Sequence, residues 1–212
     1  MSEADRVQST ADRGRSTAEP AYVIALVASV GGPTAVSTIL RGLPSDLAAA
    51  IVVLLHQDPD RVSTIVDILE RCSTMPVTVA VDAQQLESGV VVVIPPGSHL
   101  LVKPGAEVML ISSGAFPPSR PSADLLLATL ATAAGNNAIA VVLSGLGHDA
   151  ATGATAIHAA GGVVIASDQA TSDQFAMPQA TINRPHTIDH TVALESIAPL
   201  LAAVTTTPAA SP

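Results

Sequence analysis

Residues 22–33 read YVIALVASVGGP, and this stretch decides how the rest of the chain is interpreted. Its first seven residues, Tyr22–Ala28, form an unbroken apolar run. Such a run is typical of a strand that is covered on both faces. Gly31 and Gly32 then allow a tight turn, and Pro33 suits a first helical position because its missing N–H would have no partner there. The stretch therefore predicts a strand, a turn and a helix in immediate succession.

The same unit recurs along the chain. Apolar runs predict further strands at Ala49–Leu55, Val77–Val81, Ala138–Leu143 and Val163–Ala166. Helices are predicted to start near Pro33, at Asp58 before Pro59, at Ser122, near Ala150 and at Leu194. Repeated units of this kind predict an α/β fold of three layers, in which helices cover both faces of a doubly wound, mostly parallel sheet.

The middle of the chain has a different pattern. Three short strand candidates follow one another there, at Val90–Ile94, His99–Val102 and Val108–Ser112. The dipeptide Pro104-Gly105 between the last two is a turn signal. These strands predict a small antiparallel addition to the parallel sheet.

The 212 residues contain no internal linker long enough to separate two domains. Residues 1–20 are polar and rich in Ser, Thr and Ala, and residues 205–212 read TTTPAASP. We expect both stretches to be flexible tails. Residues 21–204 between them are expected to form one domain, which at this length can bury a sizeable core without metals or disulfides.

Composition excludes several classes of partner. The formal net charge is −9 and aromatic residues make up 1% of the chain, so neither phosphate backbones nor stacked bases are expected partners. The apolar runs are far shorter than the roughly 20 residues of a membrane span, so we expect no membrane insertion. A single cysteine, Cys72, cannot form a disulfide within the chain, which fits the cytoplasm.

Three polar residues follow predicted strands. Ser29 comes directly after the first strand, His56 directly after Ala49–Leu55, and Asp149 lies in the glycine loop after Ala138–Leu143. Sites of α/β sheets form beyond the carboxyl ends of the strands, so these side chains are expected to meet. Each alone has a plainer explanation, as a turn residue, a backbone-bonded histidine or a helix cap. Together they are a hydroxyl that can attack, an imidazole that can take its proton and a carboxylate that can orient the imidazole.

The turn after the first strand has further chemistry. The start of a helix directs unpaired N–H groups towards Ser29, so backbone near Val30, Gly31 and Gly32, or in the loop of Leu146, could stabilise an oxyanion. The two glycines also fit a nucleotide-binding domain, but the lysine of a phosphate-binding loop is missing. The histidines show no H-E-x-x-H spacing and the chain has no C-x-x-C, so we expect no metal site.

Five ordered segments resemble the signature segments of the catalytic domain of protein-glutamate methylesterases, the CheB family. They are Ala28–Pro33, Leu55-His56, Arg120–Asp124, Ser144–Asp149 and Phe175–Pro178. The resemblance extends from about Tyr22 to Val204. It implies a serine hydrolase that removes methyl esters from glutamate side chains of chemoreceptors in chemotaxis signalling, and that can also deamidate receptor glutamines. It implies neither a metal nor an organic cofactor.

The resemblance also assigns roles. The family's nucleophile falls on Ser29, its general base on His56 and its orienting aspartate on Asp149. The partners it implies are the cytoplasmic domains of methylated chemoreceptors. Arg120 could reach an acidic group of the substrate or pair with a nearby carboxylate. We expect Phe175, Met177 and Pro178 to pack a loop near the cleft.

Four residues near these positions depart from the family pattern. Val30 stands where threonine is usual, Leu55 where glutamine is usual, Leu146 in place of methionine and Ala150 in place of glycine. Val30 and Leu55, which each replace a polar residue, favour an alternative, a catalytically weak family member that acts as a signalling or scaffold module. Family members also commonly carry an N-terminal receiver domain, for which residues 1–20 are too short. We therefore expect a domain that is either constitutively open or controlled by another protein in trans.

Overall fold

Strands and helices alternate along residues 19–58, 63–114 and 119–206, which are the residues that a computed structural model of the protein describes. The strands are β1 (Tyr22–Ala28), β2 (Ala49–Leu55), β3 (Val77–Val79), β4 (Val91–Val93), β5 (Ser98–Lys103), β6 (Glu107–Ser112), β7 (Ala138–Val142), β8 (Val163–Ser167) and β9 (His190–Val192). The helices are α1 (Gly32–Gly42), α2 (Ile65–Glu70), α3 (Ala123–Ala134), α4 (Ala151–Ala159), α5 (Ala176–Ile182) and α6 (Leu194–Thr206), and a short 3-10 helix follows α3 at Gly135–Asn137.

Seven of the strands form one sheet in the order β3-β4-β2-β1-β7-β8-β9, and all neighbouring pairs are parallel. β1 is the middle strand. From β1 the chain adds strands on one side of the sheet and later returns to add β7, β8 and β9 on the other. A crevice beyond the carboxyl ends is expected where the direction of winding reverses, which here is at β1.

Each face of the sheet carries its own core. Residues of β1 alternate between the two cores, with Ile24 and Leu26 facing one and Ala25 and Val27 facing the other. The first core is formed against α1, α2 and α6, and the second against α3, α4, α5 and the hairpin of β5 and β6. The predicted three-layer α/β architecture is thereby confirmed.

The antiparallel addition is smaller than predicted. β5 and β6 pair with each other in antiparallel register, but β4 pairs in parallel with β2 and β3 and belongs to the main sheet. The burial patterns explain the difference. Every residue of β4 is buried, as in a strand covered on both faces, whereas exposed and buried residues mix along β5 and β6.

The predicted helix start at Asp58 is wrong for the residues that can be compared. Residues 59–62 lie outside the described residues, but Ser63 and Thr64 are not helical and α2 begins only at Ile65. The hydroxyl of Ser63 donates to Oε1 of Gln57 and accepts from the N–H of Ile65. Such local side-chain bonds compete with the helix at its start.

Two elements in the last third of the chain were not predicted. One is helix α5, in which Pro178 lies in the first turn where no intrahelical N–H bond is lost. The other is β9, a strand of only three residues, none of which is buried, so it has no apolar run that would predict a strand. At the carboxyl end, α6 includes Thr205 and Thr206 of the predicted tail, and residues 1–18 and 207–212 of the two tails lie outside the described residues.

No helix among the described residues combines the length and the apolar character needed to cross a membrane.

Candidate active site

The ends of three neighbouring strands bring Ser29, His56 and Ser144 side by side. β1 and β2 pair in the register Ala28↔Leu55, so the next residue of each strand, Ser29 and His56, is adjacent across the sheet. The N–H of His56 donates to the carbonyl of Ala28 at 3.1 Å, and the N–H of Ser29 donates to the carbonyl of Ser144 at 2.9 Å. The sheet hydrogen bonding thus continues past the last strand residues and fixes the backbone of all three.

The alternation of side chains decides which face of the sheet they share. Val27 and Leu54 point into the core on the α3 and α4 side, and Ser29 and His56 lie two residues further along the same strands. Because side chains alternate with a period of two, both should point to that side again. Asp149 precedes α4 on the same side, which is where His56 meets it.

Asp149 is the most firmly held of the three predicted site residues. It is 7% exposed, and its Oδ2 lies 2.9 Å from Nε2 of His56. The carboxylate also accepts from the N–H groups of Ala123 at 2.6 Å and Asp124 at 3.0 Å and from the hydroxyl of Ser122 at 3.3 Å. Burial by itself raises the pKa of Asp149, but the hydrogen bonds from His56 and the two N–H groups, with the attraction of His56, leave that pKa lowered.

Asp149 therefore caps α3 and not, as its plainer explanation predicted, the helix that follows it. The first turn of α4 is capped in return from α3, since Oδ1 of Asp124 accepts from the N–H groups of Ala150 at 3.2 Å and Gly153 at 2.7 Å. The two aspartates thus satisfy each other's helix starts, where unpaired N–H groups and the positive dipole end favour carboxylates. This reciprocal cap holds the carboxylate that meets His56.

A buried histidine also binds the start of α3, through the backbone of Ser122. His99 is 2% exposed, its Nδ1 accepts from the N–H of Ser122 at 2.9 Å, and its Nε2 lies 3.3 Å from the carbonyl of Ser113. The N–H donor at Ser122 requires Nδ1 to be unprotonated, and the carbonyl requires a proton on Nε2. Sequence reasoning missed this residue because a lone histidine in a strand carries no signal of its role.

The serine turn offers two unpaired backbone donors. Gly31 has a φ of 80°, in the left-handed region, and directs the chain from the strand into α1. The N–H of Gly32 donates to the carbonyl of Ser29 at 2.8 Å and is therefore occupied. Among the described residues the N–H groups of Val30 and Gly31 have no partner, nor has that of Leu146. Of the backbone groups proposed for an oxyanion, these three remain available and Gly32 does not.

The glycine loop after β7 closes over the serine. A Cβ atom on Gly145 would lie 2.9 Å from Cβ of Ser29 and would collide with the thioether of Met177. Met177 is fully buried, and its N–H donates to the carbonyl of Gly145 at 3.0 Å. Gly145 and Met177 belong to motifs that the sequence marked, but their contact with Ser29 follows only from the fold.

The residues that depart from the family pattern lie in different surroundings. Val30 and Leu146 are 49% and 55% exposed and flank the serine with apolar surface. Leu55 is buried on the opposite face, where its Cδ2 packs against the bare Cα of Gly32. The guanidinium of Arg120 donates to the carbonyl of Gly114 at 3.0 Å, and a role of Arg120 towards the substrate stays a prediction.

Within the residues that the structure describes, no three His, Cys, Asp or Glu side chains are grouped closely enough to hold a metal ion. The hydroxyl of Ser29 makes no hydrogen bond within the same residues. Ser29 beside His56 in the strand register and the hydrogen bond of His56 to Asp149 can support the chemistry of a serine, a histidine and a carboxylate.

A doubly wound parallel sheet with these three residues beyond its central strands defines an α/β protein with the residue set of serine hydrolases. The chain belongs to the CheB methylesterase family, whose model matches residues 24–201. The resemblance inferred from the sequence is confirmed.

Relatives and a solved structure agree with this assignment. A protein-glutamate methylesterase/protein-glutamine glutaminase of Burkholderia orbicola is 37% identical over 158 residues, 74% of this chain and 47% of that protein. One of Myxococcus xanthus is 35% identical over 189 residues, 88% of this chain and 54% of that protein. The chain thus spans about half the length of the curated relatives it matches. The crystal structure of the Thermotoga maritima CheB methylesterase catalytic domain matches with a TM-score of 0.80 and 29% identity, over 86% of this chain and 98% of that one.

Proposed function

We propose that this chain is a serine esterase that hydrolyses methyl esters of glutamate side chains, with Ser29, His56 and Asp149 as its catalytic residues. The hydrogen bond between His56 and Asp149, beside Ser29 in the strand register, is the observation that carries the proposal. The relatives are named as protein-glutamate methylesterases and protein-glutamine glutaminases, which supports ester hydrolysis and deamidation of glutamine as the reactions. The substrates are the cytoplasmic domains of methylated chemoreceptors, and the chain acts in the cytoplasm.

The mechanism follows from the ionisation of the three groups. Asp149 has a lowered pKa and stays a carboxylate at neutral pH, so it accepts a hydrogen bond from the Nε2–H of His56 and leaves Nδ1 as the ring nitrogen that can take a proton. His56 removes the proton of Ser29 as its hydroxyl attacks the ester carbonyl. The free N–H groups of Val30, Gly31 and Leu146 stabilise the oxyanion. The protonated His56 gives its proton to the departing methanol, and water then cleaves the glutamyl–serine ester.

The test measures methanol released from a methylated chemoreceptor signalling fragment by wild type, Ser29→Ala and Ser45→Ala. Ser45 is exposed and lies before β2, at the opposite end of the sheet, so its variant is a matched control. We expect Ser29→Ala to lower kcat by about 10⁴-fold or more and Ser45→Ala to behave as wild type. Undiminished release by Ser29→Ala would refute the assigned nucleophile.

A second candidate is a catalytically weak family member that acts as a signalling or scaffold module. It is favoured by the exposed apolar side chain of Val30, which leaves fewer polar groups around the nucleophile, whereas Leu55 is buried on the opposite face of the sheet. A folded wild-type chain that binds the methylated fragment but releases no methanol would support this candidate over the esterase.

A further inference from the structure

A carboxylate outside the proposed catalytic residues lies against the serine turn. A Cβ atom on Gly31 would lie 2.6 Å from Oδ2 of Asp173 and 2.8 Å from its Cβ. Asp173 therefore packs on the bare Cα of a residue that is two positions from Ser29. Its place is between the end of β8 and the start of α5, a segment to which the proposed mechanism gives no role.

The segment that carries Asp173 is tied to the serine turn by hydrogen bonds. The N–H of Gln174 donates to the hydroxyl of Ser144 at 2.9 Å, and that hydroxyl donates to the carbonyl of Val30 at 2.7 Å. The N–H of Gly145 donates to the carbonyl of Gln174 at 2.9 Å. The backbone that directly follows the carboxylate is thus fixed relative to the nucleophile, and Asp173 lies at the rim of the site against Gly31.

Asp149 and Asp173 differ in whether their carboxylate oxygens are free to contact a ligand. Asp149 is buried and its oxygens are used by His56 and by the start of α3. Asp173 is exposed, and within the described residues it has neither a hydrogen bond nor an ion pair. Beside it, the rim presents the exposed apolar side chains of Val30 and Leu146. The surface around the serine therefore combines one uncompensated negative charge with aliphatic contacts.

We propose that Asp173 is a specificity-determining residue, which selects glutamyl methyl esters with a cationic side chain nearby and disfavours those with a neighbouring carboxylate. The inference rests on the proposed methylesterase function and names its preferred substrate class. Unit charges 4 Å apart in water change an equilibrium constant by about fivefold, so exchange of a neighbouring Lys for Glu should have an effect of at least that order. Because Asp173 is exposed, salt should weaken the preference.

The test uses two helical peptides that carry one glutamyl methyl ester and differ only in the residue four positions away, Lys in one and Glu in the other. Residues four apart lie on the same helix face, so this residue reaches the rim together with the ester. The ratio of kcat/KM for the Lys peptide to that for the Glu peptide is measured for wild type, Asp173→Asn and Asp173→Lys. Asp46→Asn is the matched control, because Asp46 is exposed and precedes β2 at the far end of the sheet.

We expect wild type to favour the Lys peptide by about fivefold or more, mainly through KM, and the preference to shrink in high salt. Asp173→Asn should bring the ratio close to one, Asp173→Lys should invert it, and Asp46→Asn should retain it. An equal ratio in wild type and Asp173→Asn, with both peptides hydrolysed, would overturn the inference alone. Failure of wild type to hydrolyse either peptide or the methylated receptor fragment would overturn the proposed function, and the inference with it.

Discussion

On one side of the candidate site, the oxygens of Asp149 are shared among His56, Ser122 and the first N–H groups of α3. On the other side, the hydroxyl of Ser29 and the N–H groups of Val30 and Gly31 have no partner among the described residues. The histidine side is thus complete before any ligand arrives, whereas the serine side keeps its donors unused. The comparison shows that folding alone orients the imidazole of His56, before any ligand binds. The groups that stay unpaired are those with which a reacting ester would form bonds.

Removing the charge of Asp149 should break the histidine side most severely. In Asp149→Asn the amide cannot hold the Nε2 proton of His56 as the carboxylate does, so the imidazole loses its tautomer and its stabilised charged form. We expect kcat for methyl ester hydrolysis to fall by about 10³ to 10⁴-fold, with a smaller change in KM. Asp46→Asn, which removes a remote surface charge, should leave kcat unchanged. A fall of less than tenfold would mean that the hydrogen bond is not needed for turnover.

Gly145→Ala should damage the serine side without touching Asp149. The added methyl group would press on Cβ of Ser29 and on the buried Met177, which moves the nucleophile away from His56. We expect kcat to fall by about 10 to 100-fold and the free energy of unfolding to fall by about 1–3 kcal/mol.

The matched control for that steric effect is Gly162→Ala, in which a Cβ atom would lie 2.5 Å from the carbonyl of Ala138 at the other end of the sheet. It should lose comparable stability, but its folded fraction should keep the wild-type kcat. Equal kcat losses in the two variants would contradict a local effect on Ser29.

His99 offers a pair of variants that separates its two hydrogen bonds. Asn at this position can keep an acceptor for the N–H of Ser122, whereas Gln can keep a donor for the carbonyl of Ser113. Because only the first bond leads to Asp149, we expect His99→Gln to lower kcat by about three- to tenfold and His99→Asn to lower it less. Both should lose about 1–3 kcal/mol of stability, measured by denaturant unfolding, because each leaves one buried group unpaired. The opposite order of kcat values would exclude a positioning role for His99.

The smallest effect concerns the turn that holds Asp149. Ala150 has a φ of 97°, a left-handed conformation that a residue with a Cβ atom adopts only at a cost. Ala150→Gly should relieve that strain, partly offset by the loss of a buried methyl group. We expect thermal unfolding to show a gain of about 0.5–1 kcal/mol, with kcat unchanged. A loss of stability would show that packing of the methyl group outweighs the strain.

The sequence was sufficient for the central strands and for the placement of the three site residues. The apolar runs of β1, β2 and β7 are covered on both faces, so their pattern does not depend on distant partners. Ser122 also starts α3 as predicted, since its hydroxyl accepts from the N–H of Leu125. Features of this kind are local, and local patterns can be interpreted one segment at a time.

What escaped prediction depends on contacts between distant segments. One example is the position of β4 in the parallel sheet, which depends on its pairing with β2. Two others join residues more than twenty positions apart: Asp149 caps α3, and His99 accepts from the N–H of Ser122. The occupied N–H of Gly32 and the packing of Asp173 on Gly31 require backbone geometry that residue types do not specify. The assignment of the catalytic roles stays a prediction until the variants are measured.

The central place of β1 has a consequence for how the site is lost. Amides of β1 are paired on both sides along the strand, whereas β3 and β9 are three-residue strands at the edges of the sheet. In hydrogen exchange, we expect the edge strands to open first, through local fluctuations, and β1 to exchange only with global unfolding. Ser29 and His56 follow the middle strand β1 and its neighbour β2, so fraying at the edges should leave them in place. Heat inactivation should then follow the rate of global unfolding and not an earlier local opening.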